Sequence, residues 1–552
     1  MKLEKFISIH WYLQRKPYKI HTGYDIFYLK ICRRLFSMIE EMVSKYEDEV
    51  NLDEEGCRDL AYKFTACFED QVNGFGFWQS LVQLHKKHFG KRLPFFDKKT
   101  LQQQAEEWED ILPADIHYLA YISYLNYISY EDEKELVNFD KKFFIALSEK
   151  VVDYLGNIEE VLTTDFYKNY LIPGDDYIDF KIRLAWFTFE SYLTGIEFSE
   201  KIDNHLLEMM EEKIDQSMLA PLQYAERDRL MFEEPTSFTA FFPIDILAGA
   251  MQCPETKKEE IRQLKFRPRG IFHVQKQNDT HYFFVHTATG EEFNVVKKNF
   301  TQPLDVNKAD NWITTLAKWN NEYSVSGLCS GYTDTAENIS YENFEYQHLY
   351  QQHYAPYRKK IEQTALDFST AAVKFFGHDL IVYETGRQLQ KKLAEFSQWY
   401  FDIVTDKSKL SPGTKPVVFE LPAKLLIEKD ITLYIPALNG MQFITRHKQH
   451  LNLLQTKNWD MVDIDDIEDM LAMVWDKTAN VEYWVYLRKN FSLPNLSKLL
   501  NWSMEADEDF DALLRIYRPH EFSPLKLPSF KIFSSDPISA EKAKDMIAEM
   551  RK

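Results

Sequence analysis

The chain has 552 residues and a formal net charge of −20, with 45% hydrophobic and 15% aromatic residues. This length exceeds what one hydrophobic core supports, so it predicts several domain-sized units with well-filled cores. The negative charge disfavours a surface that lies broadly on nucleic acid or on an anionic membrane, because both would repel it. Only 17 glycines are present, no Gly-rich phosphate loop is among them, and the sequence indicates no cofactor.

The five cysteines are widely spread and include no C-x-x-C pair. This pattern is typical of buried thiols in a reducing compartment, and not of a disulfide framework or a zinc site. No signal-peptide cleavage pattern follows the N-terminus, and no uncharged run is long enough to span a bilayer. We therefore predict a cytoplasmic protein without a membrane partner.

Residues 1–232 are predicted to form an N-terminal helical domain. Tyr28, Ile31, Leu35, Met38 and Met42 recur at three- and four-residue steps, which places them on one apolar helix face. Further helical runs follow without a fixed repeat period, so the pattern favours an irregular helical bundle over a repeat array. Residues 233–262, punctuated by prolines, are predicted to be a connecting segment.

Residues 263–302 break this helical pattern and predict a small antiparallel β module of three strands. Six cations and three acids lie between positions 265 and 300, a local charge of +3. The middle strand, residues 281–286, is apolar on both faces. A strand of this kind needs cover on both sides, so we expect the meander to dock on a neighbour or to close with further strands into a small barrel.

The second half is predicted to contain a helical domain (residues 303–406), an α+β region (417–518) and a Pro-containing tail with a terminal helix (519–552). Residues 310–320 carry a helix-like pattern, and the Gly-flanked segment around Cys329 and Ser330 is predicted to be a loop. Tyr346 and Tyr350 share one face of a Tyr-rich helical segment. For residues 431–455 the pattern allows either a hairpin at Asn439-Gly440 or a strand, loop and helix. The predicted fold class is therefore mainly α, an irregular helical bundle, with a small inserted antiparallel β meander or barrel-like module and a minor α+β C-terminal region.

Three groups of residues have spacings that metal sites also use. His85 and His88 form one pair, His447 and His450 another, and an acidic run lies between positions 460 and 469. Metal sites need three or four converging donors, and neither histidine pair has an adjacent one. Gly90 and Asp463 predict ordinary helix caps at these places, so we assign no metal ligands and no catalytic residues.

The β module is the candidate binding site, with the Tyr-rich segment beside it. The candidate residues are Arg267, Arg269, His273, Lys276, His281, Lys297, Lys298, Tyr346 and Tyr350. We predict a non-enzymatic interaction or regulatory protein with a protein partner at the β module. The alternatives are a nucleic-acid-associated protein that uses the same module, a role the net charge disfavours, and a metal-dependent hydrolase assembled from distant residues. The local cations could equally pair with the protein's own carboxylates.

Overall fold

The structure is a computed structural model, and it describes residues 7–107, 111–130, 136–287, 289–300, 303–305, 309, 311–332, 355–404, 419–457, 462–475, 479–500 and 507–528. The chain forms two compact units. Residues 1–354 and 502–525 belong to the first, and residues 355–501 and 526–552 belong to the second. The predicted fold class is confirmed, because helices dominate the described residues and the sheets are small.

The first unit begins with thirteen helices in its described part. They are α1 Ile9–Gln14, α2 Gly23–Lys45, α3 Glu54–Asn73, α4 Phe77–Phe89, α5 Lys98–Glu107, α6 Pro113–Tyr130, α7 Lys142–Gly156, α8 Phe166–Tyr170, α9 Tyr177–Glu190, α10 Gly195–Glu211, α11 Gln216–Glu233, α12 Pro243–Ala250 and α13 Glu255–Gln263. The predicted apolar stripe on α2 is buried from Tyr28 to Met42. The last two helices lie in the segment that the sequence predicted to be only a connection.

Capping residues in the sequence set the ends of several helices. Thr22 and Asp25 form a capping box at the start of α2, and the Asp53 carboxylate accepts a hydrogen bond from the Gly56 N–H in the first turn of α3. Gly90 ends α4 in the left-handed conformation, with a φ of 71°, which confirms the predicted helix cap. Each device satisfies backbone groups that the helix itself leaves without a partner.

A closed five-stranded barrel follows these helices in the same unit. Its strands are β1 Arg269–Gln277, β2 His281–His286, β3 Glu292–Val296, β4 Asn311–Trp319 and β5 Glu322–Tyr332. Going round the barrel the order is β1-β2-β3-β5-β4, and β4 pairs with β1 to close it. The pairs are antiparallel except for β3 with β5. This order, with its one parallel pair, is that of the five-stranded Greek-key barrel called the OB-fold.

The parallel seam between β3 and β5 is the weakest junction of the barrel. A single register pair, Val295 with Tyr323, joins the two strands. Side chains support it, because the Asn299 amide donates to the Ser324 hydroxyl at 2.7 Å. The Phe293 and Tyr323 rings also pack edge to face, with centroids 5.0 Å apart. Inside the barrel a compact aromatic core is buried, which includes Phe272, Tyr282 and Phe284.

The structure confirms the first three strands and corrects the two predicted elements that come after them. Residues 310–320 were predicted to be helical, yet Asn311–Trp319 is β4. The predicted loop around Cys329 lies within β5. Both errors have one cause: β4 and β5 pair along most of their length, and strand pairing overrides a weak local helical pattern. The small barrel that the sequence left open as an outcome is therefore the one observed, although it extends to residue 332.

The second unit places a three-stranded antiparallel sheet among helices. The sheet has the order β6-β7-β8, with β6 Leu380–Thr385, β7 Lys429–Tyr434 and β8 Gln442–Ile444. Its helices are α14 Ala355–Phe376, α15 Gly386–Val404, α16 Ala423–Ile427, α17 His447–Gln455, α18 Ile464–Trp475, α19 Val481–Asn490 and α20 Leu496–Leu500. Leu389, Leu393 and Phe396 of α15 are completely buried against one face of this sheet. The last described α-helix, α21 Asp507–Tyr517, belongs to the first unit.

The two alternatives for residues 431–455 are both realised in part. β7 and β8 pair as a hairpin across the Asn439-Gly440 segment, and α17 follows directly. Tyr346 and Tyr350 lie outside the described residues, as does most of the predicted tail. Among the helices that are described, none combines the length and the apolar character needed to cross a membrane.

Candidate partner-binding site on the β barrel

A buried arginine joins the barrel to the helices. Arg267 lies two residues before the start of β1, and its side chain is only 1% exposed. Its Nη1 donates to Asp228 Oδ2 at 2.6 Å and its Nη2 to Glu233 Oε1 at 2.9 Å. Both carboxylates belong to α11. Since a buried guanidinium is tolerated only when it is paired, this contact fixes the start of the barrel onto α11.

Asp228 is the centre of a larger network, which we call the barrel-docking network: Lys181, Asp228, Glu233, Arg267 and Ser326. Lys181 Nζ lies 2.6 Å from Asp228 Oδ1, and the Ser326 hydroxyl of β5 donates to the same oxygen at 2.7 Å. Burial by itself would raise the pKa of Asp228. The two cations outweigh it and hold that pKa at about 2. The network therefore stays charged at neutral pH and connects α9, α11 and β5.

Three further cations of the β module pair with carboxylates contributed from outside the barrel. They are Lys265 with Asp245 (2.7 Å), Arg269 with Glu233 (3.7 Å) and Lys298 with Asp176 (3.1 Å). Four of the six cations that made the segment locally basic are thus compensated by the helical part of the unit. Arg267 in particular has no exposed surface with which to contact a partner, which corrects its assignment as a binding residue. For these four residues the structure shows the alternative stated from the sequence, in which cations of the β module pair with the protein's own carboxylates.

A different set of side chains occupies the outward side of β1, β2 and β3. Phe283 is out of phase with the buried Tyr282 and Phe284 and is partly exposed. A register shift after Val274 brings Lys276 opposite Phe283, and Lys276 Nζ lies 4.6 Å from the centre of that ring. On the other side Asn294 pairs with Phe283 and is exposed. We call Lys276, Phe283 and Asn294, with their neighbours His273 and Glu292, the outer face.

The remaining candidate residues lie at the edges of the outer face. His273 is opposite Val285 and half-buried. His281 Nε2 lies 3.3 Å from Glu322 Oε1, so it connects β2 to β5 across the parallel seam. Lys297 donates to Gln277 Oε1 at 2.8 Å and lies 4.6 Å from the centre of the Tyr282 ring. The structure thus brings together His273, Lys276, His281 and Lys297 around one surface, while Arg269 and Lys298 pair with carboxylates of the helical part.

The paired histidines of α4 have separate structural roles. His85 is fully buried, burial lowers its pKa to about 3, and its Nε2 lies 3.0 Å from the Thr239 hydroxyl. His88 lies 3.7 Å from Asp511 at the surface. The two imidazoles therefore contact different partners and do not converge on one metal position.

The second unit separates its candidate donors in the same way. His447 Nδ1 lies 2.6 Å from the Tyr483 hydroxyl. The N-cap role predicted for Asp463 is confirmed, because its carboxylate accepts a hydrogen bond from the Asp465 N–H at 3.1 Å. Asp466 and Asp469 lie beside Arg446. In the described part of the chain no three His, Cys, Asp or Glu residues are grouped so that they could hold a metal ion.

Cys329 is held in a form unsuited to nucleophilic attack. It lies within β5, and burial raises the pKa of its thiol to about 11. Since the thiolate is the reactive species, this group is protonated at neutral pH.

Sequence reasoning missed Asp228, Lys181 and Ser326, which are the partners that determine what the module's cations do. Asp228 and Arg267 are 39 positions apart and Ser326 is a further 59, so no local spacing connects them. The one available signal was compositional: the cations before β1 follow a carboxylate-rich stretch at the end of α11.

Residues 7–253 match a family model described as a protein of unknown function, DUF3843. The match covers less than half of the chain. It includes the helices from α1 to α12, whereas α13, the barrel and the second unit lie beyond it. No curated protein matches the chain, and no solved structure does either.

Proposed function

We propose that this chain is a non-enzymatic interaction protein of the cytoplasm that binds a protein partner through the outer face of its β barrel. The observation that carries the proposal is the division of charge within the barrel. The cations on the docked side are paired with the helical part, whereas Lys276, near the end of β1, and Phe283 of β2 remain at the surface. The five free cysteines support a reducing compartment.

The outer face has the composition of a protein interface and lacks that of a nucleic-acid interface. A partly exposed aromatic ring is surrounded by an amide, a lysine and a carboxylate, as at the centre and rim of many protein contacts. Lys276 and Lys297 are balanced by the exposed Glu292 and Asp279, so this surface offers no net positive charge to phosphates. A whole-chain charge of −20 adds repulsion.

Phe283 is the expected anchor of the contact. Its ring can be desolvated by a partner without unfolding the barrel, because the interior is already filled by Phe272, Tyr282 and Phe284. Lys276 lies over the ring, so a partner that covers both gains apolar burial and a desolvated cation–π contact. Removing both side chains should therefore weaken binding far more than it changes the fold.

The test uses three forms of the full chain to capture binding partners under native conditions, and quantitative mass spectrometry compares the partners that each form retains. The three forms are the parent, the double variant Phe283→Ala with Lys276→Ala, and a matched control, Lys45→Ala with Tyr46→Ala, which removes another lysine that lies over an aromatic ring. We expect a partner that the parent and the control retain and that the outer-face variant loses, with equal thermal unfolding of all three. Equal capture by the three forms would contradict the proposal.

The same proteins decide between a protein and a nucleic acid. The strand order of the barrel is one on which oligonucleotides bind in other proteins, so oligo(dT) and oligo(U) are the appropriate probes. Binding of either probe that is lost in the outer-face variant, and that weakens steeply with salt, would overturn the protein assignment in favour of single-stranded nucleic acid.

A further inference from the structure

A groove of about 1150 Å³ lies in the helical part of the first unit, between α4 and α13 and above α12. We call it the α4–α13 groove. It does not involve the outer face of the barrel. The family match includes α4 and α12, which form one wall and the floor, and stops before α13, which forms the other wall.

The floor of the groove is made of small residues because α4 and α12 touch there. A Cβ on Gly249 would lie 1.9 Å from the Ser80 hydroxyl, and one on Gly76 would lie 3.9 Å from Ala250. The Ser80 hydroxyl donates to the Ile246 carbonyl at 2.7 Å. The floor therefore has short side chains and is held by a hydrogen bond, so the longer side chains of the two walls enclose space above it.

The α4 wall presents a row of polar side chains that the protein itself does not use. Gln79, Gln83 and Lys87 follow one another at four-residue steps and are exposed. Within the described part of the chain none of the three has a hydrogen-bond or ion-pair partner. Gln252 adds another exposed amide at the end of the groove, whereas the exposed Gln263 on the far wall donates to Glu259 Oε1 at 2.8 Å.

The charges of the α13 wall are largely compensated. Arg262 pairs with Glu255 at 2.6 Å and with Glu259 at 3.4 Å. Lys258 Nζ donates to the Gly249 carbonyl on the floor at 2.6 Å. Hydrogen bonds from the α13 side and the facing Lys87 lower the pKa of both glutamates, so they are ionised at neutral pH. Besides Lys87, the groups offered to a guest are thus mainly the amides of Gln79, Gln83 and Gln252.

We propose that the α4–α13 groove binds an extended polypeptide segment by its main chain. Each glutamine side chain carries a donor and an acceptor, which match the N–H and C=O of one peptide group. Gln79 and Gln83 are one helical turn apart on α4, about 6 Å along the axis, which is close to the repeat of about two residues of extended chain. Their two amides therefore match alternate peptide groups of an extended backbone.

Other ligand classes fit the groove less well. Phe75, Phe241 and Phe266 contact it, but the two walls carry amides and charges where a sugar or a base would need a ring to stack on. The lining charges nearly cancel, since Lys87, Lys258, Arg262 and Lys265 face Asp245, Glu255 and Glu259. A polyanion would gain little from this surface.

The experiment selects from a phage-displayed library of random peptides against the full chain and measures the enriched sequences, labelled with fluorescein, by fluorescence polarisation. One variant, Gln79→Ala with Gln83→Ala, removes the amides. A second, Gln83→Trp, fills the groove. The matched control, Gln102→Ala with Gln103→Ala, removes two exposed glutamines of α5. We expect the first two variants to weaken binding roughly tenfold or more and the control to leave it unchanged.

A second arm tests main-chain recognition directly. The same peptides carrying N-methyl groups at alternate residues lose half of their backbone donors and should bind at least several-fold more weakly. The proposal is overturned if no peptide is enriched, if both groove variants bind like the parent, or if heparin or oligo(dT) competes for the groove. A peptide whose binding depends on Phe283 and not on Gln79 would report the outer face and would equally overturn the groove assignment.

Discussion

The two sides of the β barrel use the same kinds of residue for opposite purposes. On the docked side Arg267 is 1% exposed and lies among carboxylates of α11. On the outer face Lys276 is exposed and lies over the ring of Phe283. A cation before β1 holds the barrel in place, whereas a cation near the end of the same strand is exposed to solvent.

This difference shows that a locally positive charge in the sequence does not reveal which cations are exposed. A buried ion pair contributes to specificity of docking and becomes strongly destabilising when one member is removed, whereas an exposed pair contributes little to stability. This difference between the two sides of the barrel can be measured. Substitutions on the docked side should change stability, and substitutions on the outer face should change binding.

Asp228→Ala should have the largest effect. It leaves Arg267 and Lys181 without their shared carboxylate, and an unpaired buried charge costs about 3–5 kcal/mol. We expect the free energy of unfolding of the first unit to fall by about this amount and hydrogen exchange in β1 and β5 to accelerate. Exchange and urea denaturation measure this, and an unfolding free energy within about 1 kcal/mol of the parent, on the order of a surface pair, would refute the docking role.

The same carboxylate predicts acid lability. Its pKa is about 2 in the folded protein against 3.8 when unperturbed, so the folded state holds fewer protons. Its contribution is complete above about pH 4 and is lost as the pH falls towards 2, at about 2 kcal/mol in total. Urea denaturation at a series of pH values measures this loss, and Asp228→Asn should flatten that part of the profile.

Gly327→Ala should have an intermediate effect. The residue has a φ of 72°, and a Cβ would lie 3.0 Å from Asp228 Oδ2. The left-handed backbone alone costs about 1–2 kcal/mol for a residue with a Cβ. Gly290→Ala is the matched control, because Gly290 has a φ of 71° and open space around it. A larger loss of stability at Gly327 than at Gly290 would isolate the crowding of the network.

Lys298→Ala should have the smallest effect. Its partner Asp176 is 3.1 Å away, but the lysine side chain is 59% exposed, so the pair is screened by solvent. We expect a loss of about 0–0.5 kcal/mol in the same urea experiment. A loss as large as that of Asp228→Ala would mean that exposure does not separate the two kinds of cation.

The elements that the sequence predicted well are those whose pattern is local. β1, β2 and β3 carry strand periodicity, and turn residues separate them. Gly90 and Asp463 are helix caps that short-range chemistry defines. β4 was mistaken for a helix because Trp312, Leu316 and Trp319 also satisfy helical spacing. Only pairing with β1 and β5 decides between the two, and the pairing with the distant β1 leaves no mark in a single window of sequence.

The candidate site was predictable to a smaller extent. His273, Lys276 and His281 lie within the β module itself, so the sequence alone placed them among the candidate residues. Arg267 was misassigned because its role depends on Asp228, which lies on a helix 39 positions earlier. A cation's exposure is a tertiary property, so the residues around it in sequence cannot reveal whether it faces solvent or a carboxylate.

The docking network makes the barrel inseparable from its helices over evolutionary time. Residues 263–332 cut out as a fragment would present Lys265 and Arg267 to water without Asp245 and Asp228. A barrel transferred into another protein would meet the same loss. We therefore expect positions 228 and 267 to change together in descendants of this chain. We also expect an insertion that displaces α11 to destabilise the barrel even when the sequence of every strand is unchanged.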